Sequence, residues 1–373
     1  MVLWNESLFF FPPFLLRKAT ITAPPMKHDK PDSKFSPVLK WVGSLTAIFS
    51  LCATILGVAR YIYNRAETRK NLAALLATEA EQQKSRDYSA AWQTLEKAAQ
   101  LEPDSPKVRD TQVKLAIAWL DDVHLPEGQT FSDVKLKLEP VLTRAVAAAK
   151  PGREQADLRA HVGWAYFLES IDGASDIDPA GPFREAVDED PNNPYAEAMW
   201  GYSILSNHCY RVKEAAPHFA AALASQREGD FVRRLQLAAL LNCGGEDAAQ
   251  EAIRVANAMR KEQRALTDWD RSHIYGIYYS EFSWETPKTS EFINAVPPAE
   301  HIATFHWLFD NWDTGDATTP WTHALYLARL QEAAGQRDEA LANYKSVLSH
   351  TPPHSGTRWD VADAGVKRLS PKH

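Results

Sequence analysis

Two stretches of this chain share a spacing of small and large residues, and a proline closes each stretch. In the first, intervals of three, four, three and five residues separate Tyr88, Ala91, Leu95, Ala98 and Pro103. The second repeats the last three intervals and adds a glycine ahead of them, in the order Gly335, Ala340, Tyr344, Val347 and Pro352. Steps of three and four place such side chains on one helix face. Proline then ends the helix, because it has no N–H to donate. The two stretches are therefore predicted to be equivalent helices.

This spacing resembles the second helix and exit turn of a tetratricopeptide repeat (TPR). Gly163 with Tyr166, and Trp200 with Gly201, resemble the corresponding first-helix motif. The resemblance covers about residues 72–355. It implies an all-α chain, a right-handed α-solenoid of TPR-like helical hairpins that binds partners. One subset of the family clamps the carboxylate of chaperone tails with Lys, Asn and Arg on its first helices. The equivalent faces here are apolar, which argues against that activity, at Leu76, Ala160 and Ala198.

The sequence divides into five predicted segments. The repeats occupy two of them, and an irregular hairpin rich in aromatic residues separates these two. A proline-rich tail, expected to be disordered, and one transmembrane helix precede them. In chain order the segments are the tail at 1–37, the transmembrane signal anchor at 38–60, TPR-like repeats at 61–259, the aromatic-rich hairpin at 260–320, and a C-terminal hairpin with a capping helix at 321–373. In an alternative interpretation, residues 1–25 are a gene-model extension and translation starts at Met26.

The membrane segment is predicted from the uncharged residues 41–59, which lie between Lys40 and Arg60. Their length matches the roughly 20 residues that cross a bilayer. Two alternatives remain open: a signal peptide cleaved after the small residues Gly57 and Ala59, and a buried helix of a soluble domain. The charges that flank the segment do not decide which side of the membrane the repeats face. The periplasmic side is slightly favoured if residues 1–25 are translated.

Composition and cysteine spacing exclude some functions. A net charge of −7 without a basic stripe argues against nucleic-acid binding. Cys209 and Cys243 lie 34 residues apart, which places them in equivalent turns of neighbouring hairpins. Packed helices are about 8–10 Å apart, whereas a disulfide needs Cα atoms within about 7 Å. We therefore expect these two cysteines not to form a disulfide.

No catalytic, cofactor or metal motif is found in the sequence. There is no phosphate-binding glycine loop, nucleophile elbow, HExxH or CxxC pattern. His306 and Asp310 share a helix face, but two ligands fall short of the three or four that zinc requires. No cofactor and no metal are predicted. The aromatic residues of 260–320 are interpreted as core, with a ligand pocket or an enzyme site in this region as the alternative.

A binding surface is predicted on the first helices, which line the concave face of such arrays. Trp164 and Tyr202 each follow a packed glycine, so they are expected to point towards the groove. Aromatic residues and arginine dominate the energetics of interfaces. The complete set of predicted groove residues is His161, Trp164, Tyr195, Met199, Tyr202, Leu325 and Arg329. The alternative is that Trp164 and its neighbours only pack between hairpins.

Together these features predict a bacterial inner-membrane protein with a single span. Its repeats would bind a protein or peptide partner without catalysis. One alternative is an assembly factor for an envelope complex of secretion, pili or cytochrome maturation. A second is an enzyme with its site in 260–320, and a third is an array that forms homo-oligomers.

Overall fold

The computed structural model describes residues 36–371, except for 124, 126, 174–178, 283–286, 313–318 and 355. Side chains are described from residue 51 onwards, apart from those same gaps and residues 207, 287, 288 and 319. Within this part of the chain all regular structure is helical, and no β-strand occurs. The predicted all-α class is confirmed for these residues. The predicted disordered tail lies outside them, apart from the start of the first helix.

Sixteen α-helices and one 3₁₀ turn are formed by the described residues. The first part of the chain contains α1 (Ser36–Lys84), α2 (Tyr88–Leu101), α3 (Pro106–Asp122), α4 (Phe131–Ala148), α5 (Arg153–Ile171), α6 (Ala180–Glu189), α7 (Pro194–Asn207) and the 3₁₀ turn η1 (Cys209–Arg211). The remainder contains α8 (Val212–Ala224), α9 (Gly229–Cys243), α10 (Glu246–Lys261), α11 (Asp268–Phe282), α12 (Pro287–Ile293), α13 (Pro298–Phe309), α14 (Thr319–Ala333), α15 (Arg337–His350) and α16 (Thr357–Leu369).

The chain divides into two units, and the boundary falls inside α1 between Arg69 and Lys70. Of the first unit the structure describes only the beginning of α1. The second unit contains the end of α1 and all later helices. α1 lies where the transmembrane helix is predicted, but the side chains of residues 41–50 are outside the described ones. Among the residues that are described, no helix is both long and apolar enough to cross a membrane.

The second unit is a two-layer stack of consecutive hairpins. α3 pairs with α4, α5 with α6, α7 with α8, and α9 with α10. The first helix of each pair also contacts the first helix of the next pair, so that α3, α5, α7 and α9 lie side by side. We call these four helices the first-helix layer. α11 extends this layer beyond α9, and α14, α15 and α16 close the stack.

Local sequence explains where these helices begin and which face they bury. Asp87 caps α2, and its carboxylate accepts a hydrogen bond from the N–H of Ala90 at 3.0 Å. Asn193 caps α7 in the same way, and Pro194 occupies the first helical position. Both signature helices bury the residues that define their spacing, namely Tyr88, Ala91, Leu95 and Ala98 in α2 and Ala340, Tyr344 and Val347 in α15.

Two glycines allow the first and second helices of a hairpin to approach closely. A Cβ atom added to Gly163 would lie 2.8 Å from the ring of Phe183, which is fully buried. Gly201 meets Phe219 in the next hairpin, where the added Cβ would lie 3.0 Å from the ring. An aromatic ring of the second helix therefore fills the space that a first-helix side chain would need. This is the role that the TPR-like motif predicts for both glycines.

The aromatic-rich segment forms part of the core. α11 and α13 lie where two helices are predicted, and the short α12, which was not predicted, lies between them. Tyr278 of α11 is completely buried, and its ring contacts Phe292, Phe305 and Phe309 at centroid distances of 5.3–5.6 Å. These rings fill the space between α11, α12 and α13, as the core interpretation predicts.

The expectation for the cysteines is wrong, because Cys209 and Cys243 form a disulfide. The spacing argument used the distance between helix axes, but Cys209 does not lie on a helix of the layer. It belongs to η1, the turn between α7 and α8, while Cys243 is the last residue of α9. This turn brings the two Cα atoms to 5.0 Å, well inside the disulfide range.

The close approach at Gly163 leads to a stability prediction. Gly163→Ala should lower the free energy of unfolding by about 1–3 kcal/mol, because the new methyl group overpacks against Phe183. Gly276→Ala is the matched control: Gly276 also lies inside a helix, α11, but nothing is within 4 Å of the place that its new methyl group would take. That change should raise stability by up to about 1 kcal/mol through helix propensity. Urea denaturation followed by circular dichroism measures both. Equal effects of the two substitutions would contradict the packing argument.

Candidate partner-binding surface

Trp164, the strongest groove candidate from the sequence, is buried inside the first-helix layer. Only 1% of its surface is exposed. Its indole N–H donates a hydrogen bond to the carbonyl of Leu120 in α3 at 3.0 Å. Its ring stacks on Phe167 at 5.0 Å and meets the edge of Tyr202 in α7 at 5.3 Å. Trp164 therefore joins three successive first helices and presents no surface to a ligand in this structure.

Four further predicted groove residues are also buried. Met199 and Leu325 are completely enclosed, and so is His161. The guanidinium of Arg329 donates to the carbonyl of Phe282 at 2.8 Å and lies over the Phe282 ring, 5.2 Å from its centre. These side chains hold neighbouring helices together. Among the seven predicted groove residues, only Tyr195 and Tyr202 remain partly exposed.

Tyr195 and Tyr202 lie on α7, seven residues apart, and both face the neighbouring first helices. The ring of Tyr195 is 4.6 Å from that of His161 in α5 and 5.1 Å from that of Phe231 in α9. The hydroxyl of Tyr202 accepts a hydrogen bond from the side-chain amide of Asn242 in α9, at 3.2 Å. The two tyrosines thus mark a strip of accessible surface on the first-helix layer.

A polar cluster that the sequence did not reveal adjoins this strip. Arg227, in the turn between α8 and α9, donates from Nη2 to Asp157 Oδ2 of α5 at 2.7 Å and from Nη1 to Asp190 Oδ2 at 3.1 Å. The amide of Asn193 donates to Asp157 Oδ1 at 2.6 Å. We call Asp157, Asp190, Asn193 and Arg227 the Asp157 cluster. It connects three successive hairpins at the edge of the first-helix layer.

One part of the Asp157 cluster has a local sequence signal. Asn193 followed by Pro194 is typical of a helix N-cap and first position, so the start of α7 was readable from the sequence. The contact of Asp157 with Arg227 spans 70 residues and has no such signal. Only the stacking of consecutive hairpins brings these two charges together.

His161 is a buried histidine that packs against the ring of Tyr195 and contacts the carboxylate of Asp121. Its Nδ1 donates to the carbonyl of Asp157 at 2.6 Å, and its Nε2 lies 3.1 Å from the carboxylate of Asp121. Burial lowers the pKa of His161, but the charge and hydrogen bond of Asp121, together with the Asp157 carbonyl, outweigh burial and raise the pKa above its ordinary value. Burial and the nearby Asp121 also raise the pKa of Tyr195. The protonated imidazole of His161 can donate from both nitrogens and is satisfied on both sides.

The accessible surface is formed by the partly exposed Tyr195 and Tyr202, and the paired charges of the Asp157 cluster adjoin it at Tyr195. No group of three or more His, Cys, Asp or Glu side chains that could hold a metal ion occurs among the described residues. His306 and Asp310 are hydrogen-bonded at 2.9 Å; His306 is partly exposed and Asp310 is exposed. The arrangement on the first-helix layer is suited to binding a side chain that has an apolar body and a polar end.

A second buried histidine lies in the aromatic core. Nδ1 of His301 donates to the carbonyl of Ile293 at 2.9 Å, so its Nε2 accepts from the hydroxyl of Tyr278 at 2.8 Å. This pair of bonds satisfies both nitrogens of the neutral imidazole. Burial lowers the pKa of His301 to about 4, although the bond to Ile293 opposes the shift. His301 thus serves as a polar link within the core.

Comparisons with known proteins give limited help. No protein-family model matches the chain, and no curated protein matches it. A similar solved structure is that of a tetratricopeptide repeat protein from Parabacteroides merdae, which is 12% identical. The match covers 80% of this chain and 99% of that protein, with a TM-score of 0.36. Because a likeness of this degree is weak, the assignment to stacked helical hairpins rests on the packing of the chain itself.

The neutral state of His301 predicts acid sensitivity. The unfolded chain takes up a proton near pH 6.5, whereas the folded chain resists it down to about pH 4. Stability is therefore expected to fall as the pH drops through this window, by up to about 3 kcal/mol from this group. His301→Gln should flatten that part of the stability profile, measured by urea denaturation between pH 7 and pH 4. His306→Gln, on the same helix but only partly buried, should keep the original slope. The assignment would be refuted if both variants retained it.

Proposed function

We propose that this chain is a membrane-anchored TPR-like scaffold that binds a protein or peptide partner and does not catalyse a reaction. The supporting observation is the first-helix layer, where α3, α5, α7 and α9 lie side by side. Such a layer offers a binding surface that extends with the number of repeats. On it, Tyr195 and Tyr202 are partly exposed, and Asp157, whose carboxylate is paired with Arg227, lies near Tyr195. Tyrosine and arginine are enriched among residues that dominate interface energetics.

The surface that we propose is narrower than the predicted groove. Trp164 and Met199 support it from within, whereas Leu325 is buried in α14, away from this surface. The contact residues are therefore the two tyrosines of α7 and their exposed neighbours, such as Asn242 of α9. An extended peptide or a partner helix is the class of ligand that such a strip accommodates. Self-association of the array remains a separate proposal, which the mass of the purified protein in solution would test.

Membrane anchoring through residues 41–59 is part of this proposal and rests on the sequence. The side of the membrane is inferred from the oxidation state of two cysteines. The disulfide between Cys209 and Cys243 supports an oxidising compartment, because thiols are kept reduced in the cytosol. In a bacterium this compartment is the periplasm. We therefore place the repeats on the periplasmic side of the inner membrane.

Site-specific photocrosslinking tests the partner surface. A photoreactive amino acid at Asn242, an exposed position beside Tyr202, should give a discrete adduct with a partner when membranes are irradiated. The control is Ala220, which is also exposed but lies on α8, a second helix. Both positions should leave the helix content unchanged, because neither side chain is buried. Adducts that are absent from Asn242, or equal at both positions, would contradict the proposal.

The proposed location can be tested by counting free thiols. The chain has three cysteines, of which Cys52 is outside the disulfide. After acid trapping and denaturation, a maleimide mass tag should add once to the protein and three times after reduction. A variant lacking residues 41–59 should lose its only other cysteine and leave the membrane fraction. Reduced Cys209 and Cys243 in the intact cell would place the repeats in the cytoplasm instead.

A further inference from the structure

A groove runs along the second hairpin, between α3 and α4. Three cavities of about 240, 470 and 840 Å³ form it. They are continuous, because the first and second share Val141 and Arg144, and the first and third share Val113 and Ala145. The groove reaches α2 at one end and the beginning of α5 at the other. We call it the α3–α4 groove. It differs from the strip around Tyr195 and Tyr202, although Asp157 lies at the edge of both.

The floor of the α3–α4 groove is apolar and incompletely covered. Val113, Ile117, Val141 and Ala145 are all partly exposed along it. At its edge Leu136 is 67% exposed and extends this apolar floor to the surface. An unfilled apolar surface of this kind is stabilised when a partner covers it.

The side chains of α4 leave this space open. Its buried residues are Val134, Leu138 and Leu142, and none of them is aromatic. By comparison, α8 fills its hairpin with the large ring of Phe219. No aromatic residue of α4 plays this part, since its only one, Phe131, lies at the first position of the helix.

The rim of the groove is basic, in contrast to the whole chain with its net charge of −7. Six basic residues line it: Arg109, Lys114, Lys137, Arg144, Lys150 and Arg153. Four acidic residues also do, namely Glu96, Asp110, Glu154 and Asp157. Asp157 is already paired with Arg227. Within the described part of the chain, no ion pair engages Lys114, Arg144, Lys150 or Arg153, so their charges are available to a partner.

We propose that the α3–α4 groove docks a helix of a protein partner, one with an apolar stripe and acidic flanks. The groove follows α3 from Pro106 to Ile117, a length of about 16 Å or three helical turns. A helix of that length presents apolar anchors at positions i, i+3 or i+4, and i+7. Its acidic flanks would meet the basic rim. This inference depends on the proposed function only in that the ligand is a protein.

Fluorescence anisotropy with the full chain in detergent tests the docking. The probe is a synthetic amphipathic helix with leucine anchors and glutamate flanks, and the comparison peptide carries lysine in place of glutamate. The glutamate peptide should bind saturably and the lysine peptide should not. The Lys114→Glu/Arg144→Glu variant should weaken binding of the glutamate peptide about tenfold, and added salt should weaken it further.

Two further variants make the test decisive. Leu136→Ser removes an exposed apolar contact without touching the core, and it should also weaken binding severalfold. Lys213→Glu/Lys345→Glu changes the net charge by the same amount at exposed positions outside the groove, and it should bind as the unaltered chain does. Unchanged affinity in the groove variants, equal binding of both peptides, or binding of phosphatidylglycerol vesicles in place of peptide would overturn the proposal. Crosslinking from Asn242 reports on the other surface, so failure of one experiment leaves the other interpretable.

Discussion

The close contact between a glycine of a first helix and an aromatic ring of the following helix is the constraint on which the rest of this structure depends. At Gly163 and Gly201 the absent side chain lets the rings of Phe183 and Phe219 fill the hairpin. In these two hairpins the paired helices approach closely, and their first helices, α5 and α7, lie side by side. The sides of these first helices are buried by packing against one another, as the contacts of Trp164 with both α3 and α7 show. On α7 the residues that remain partly exposed include Tyr195 and Tyr202, which mark the strip proposed for a partner.

The sequence predicted the helices well and the exposed face of each helix less well. Periodicity reports which residues share a face, and it located the buried residues Tyr88 and Leu95 correctly. It does not report how wide the buried face is. For a helix with one neighbour, the residue after a packed glycine can be exposed, but α5 contacts α3, α6 and α7. Trp164 is therefore enclosed, although the periodicity that placed it beside Gly163 is sound.

Features that join separate hairpins were beyond the reach of the sequence. The disulfide depends on the path of a short turn, η1, which leaves the regular spacing between helices and brings Cys209 to the end of α9. The pairing of Asp157 with Arg227 likewise depends on how two hairpins stack. Each partner alone resembles an ordinary surface residue. Local patterns carry no information about such contacts, because their geometry is set by the stacking of many residues between them.

The irregular second hairpin shows how a departure from a repeat pattern can have consequences. In the hairpins of Gly163 and Gly201 a facing aromatic ring fills the space between the two helices. α4 buries the aliphatic residues Val134, Leu138 and Leu142, so no aromatic ring fills the corresponding space beside α3. Natural proteins break local rules of packing mostly where another requirement applies. In this chain the hairpin that fits the pattern poorly has an apolar floor within a basic rim. The same irregularity that weakens the repeat pattern of α3 and α4 is therefore a reason to seek a binding surface there.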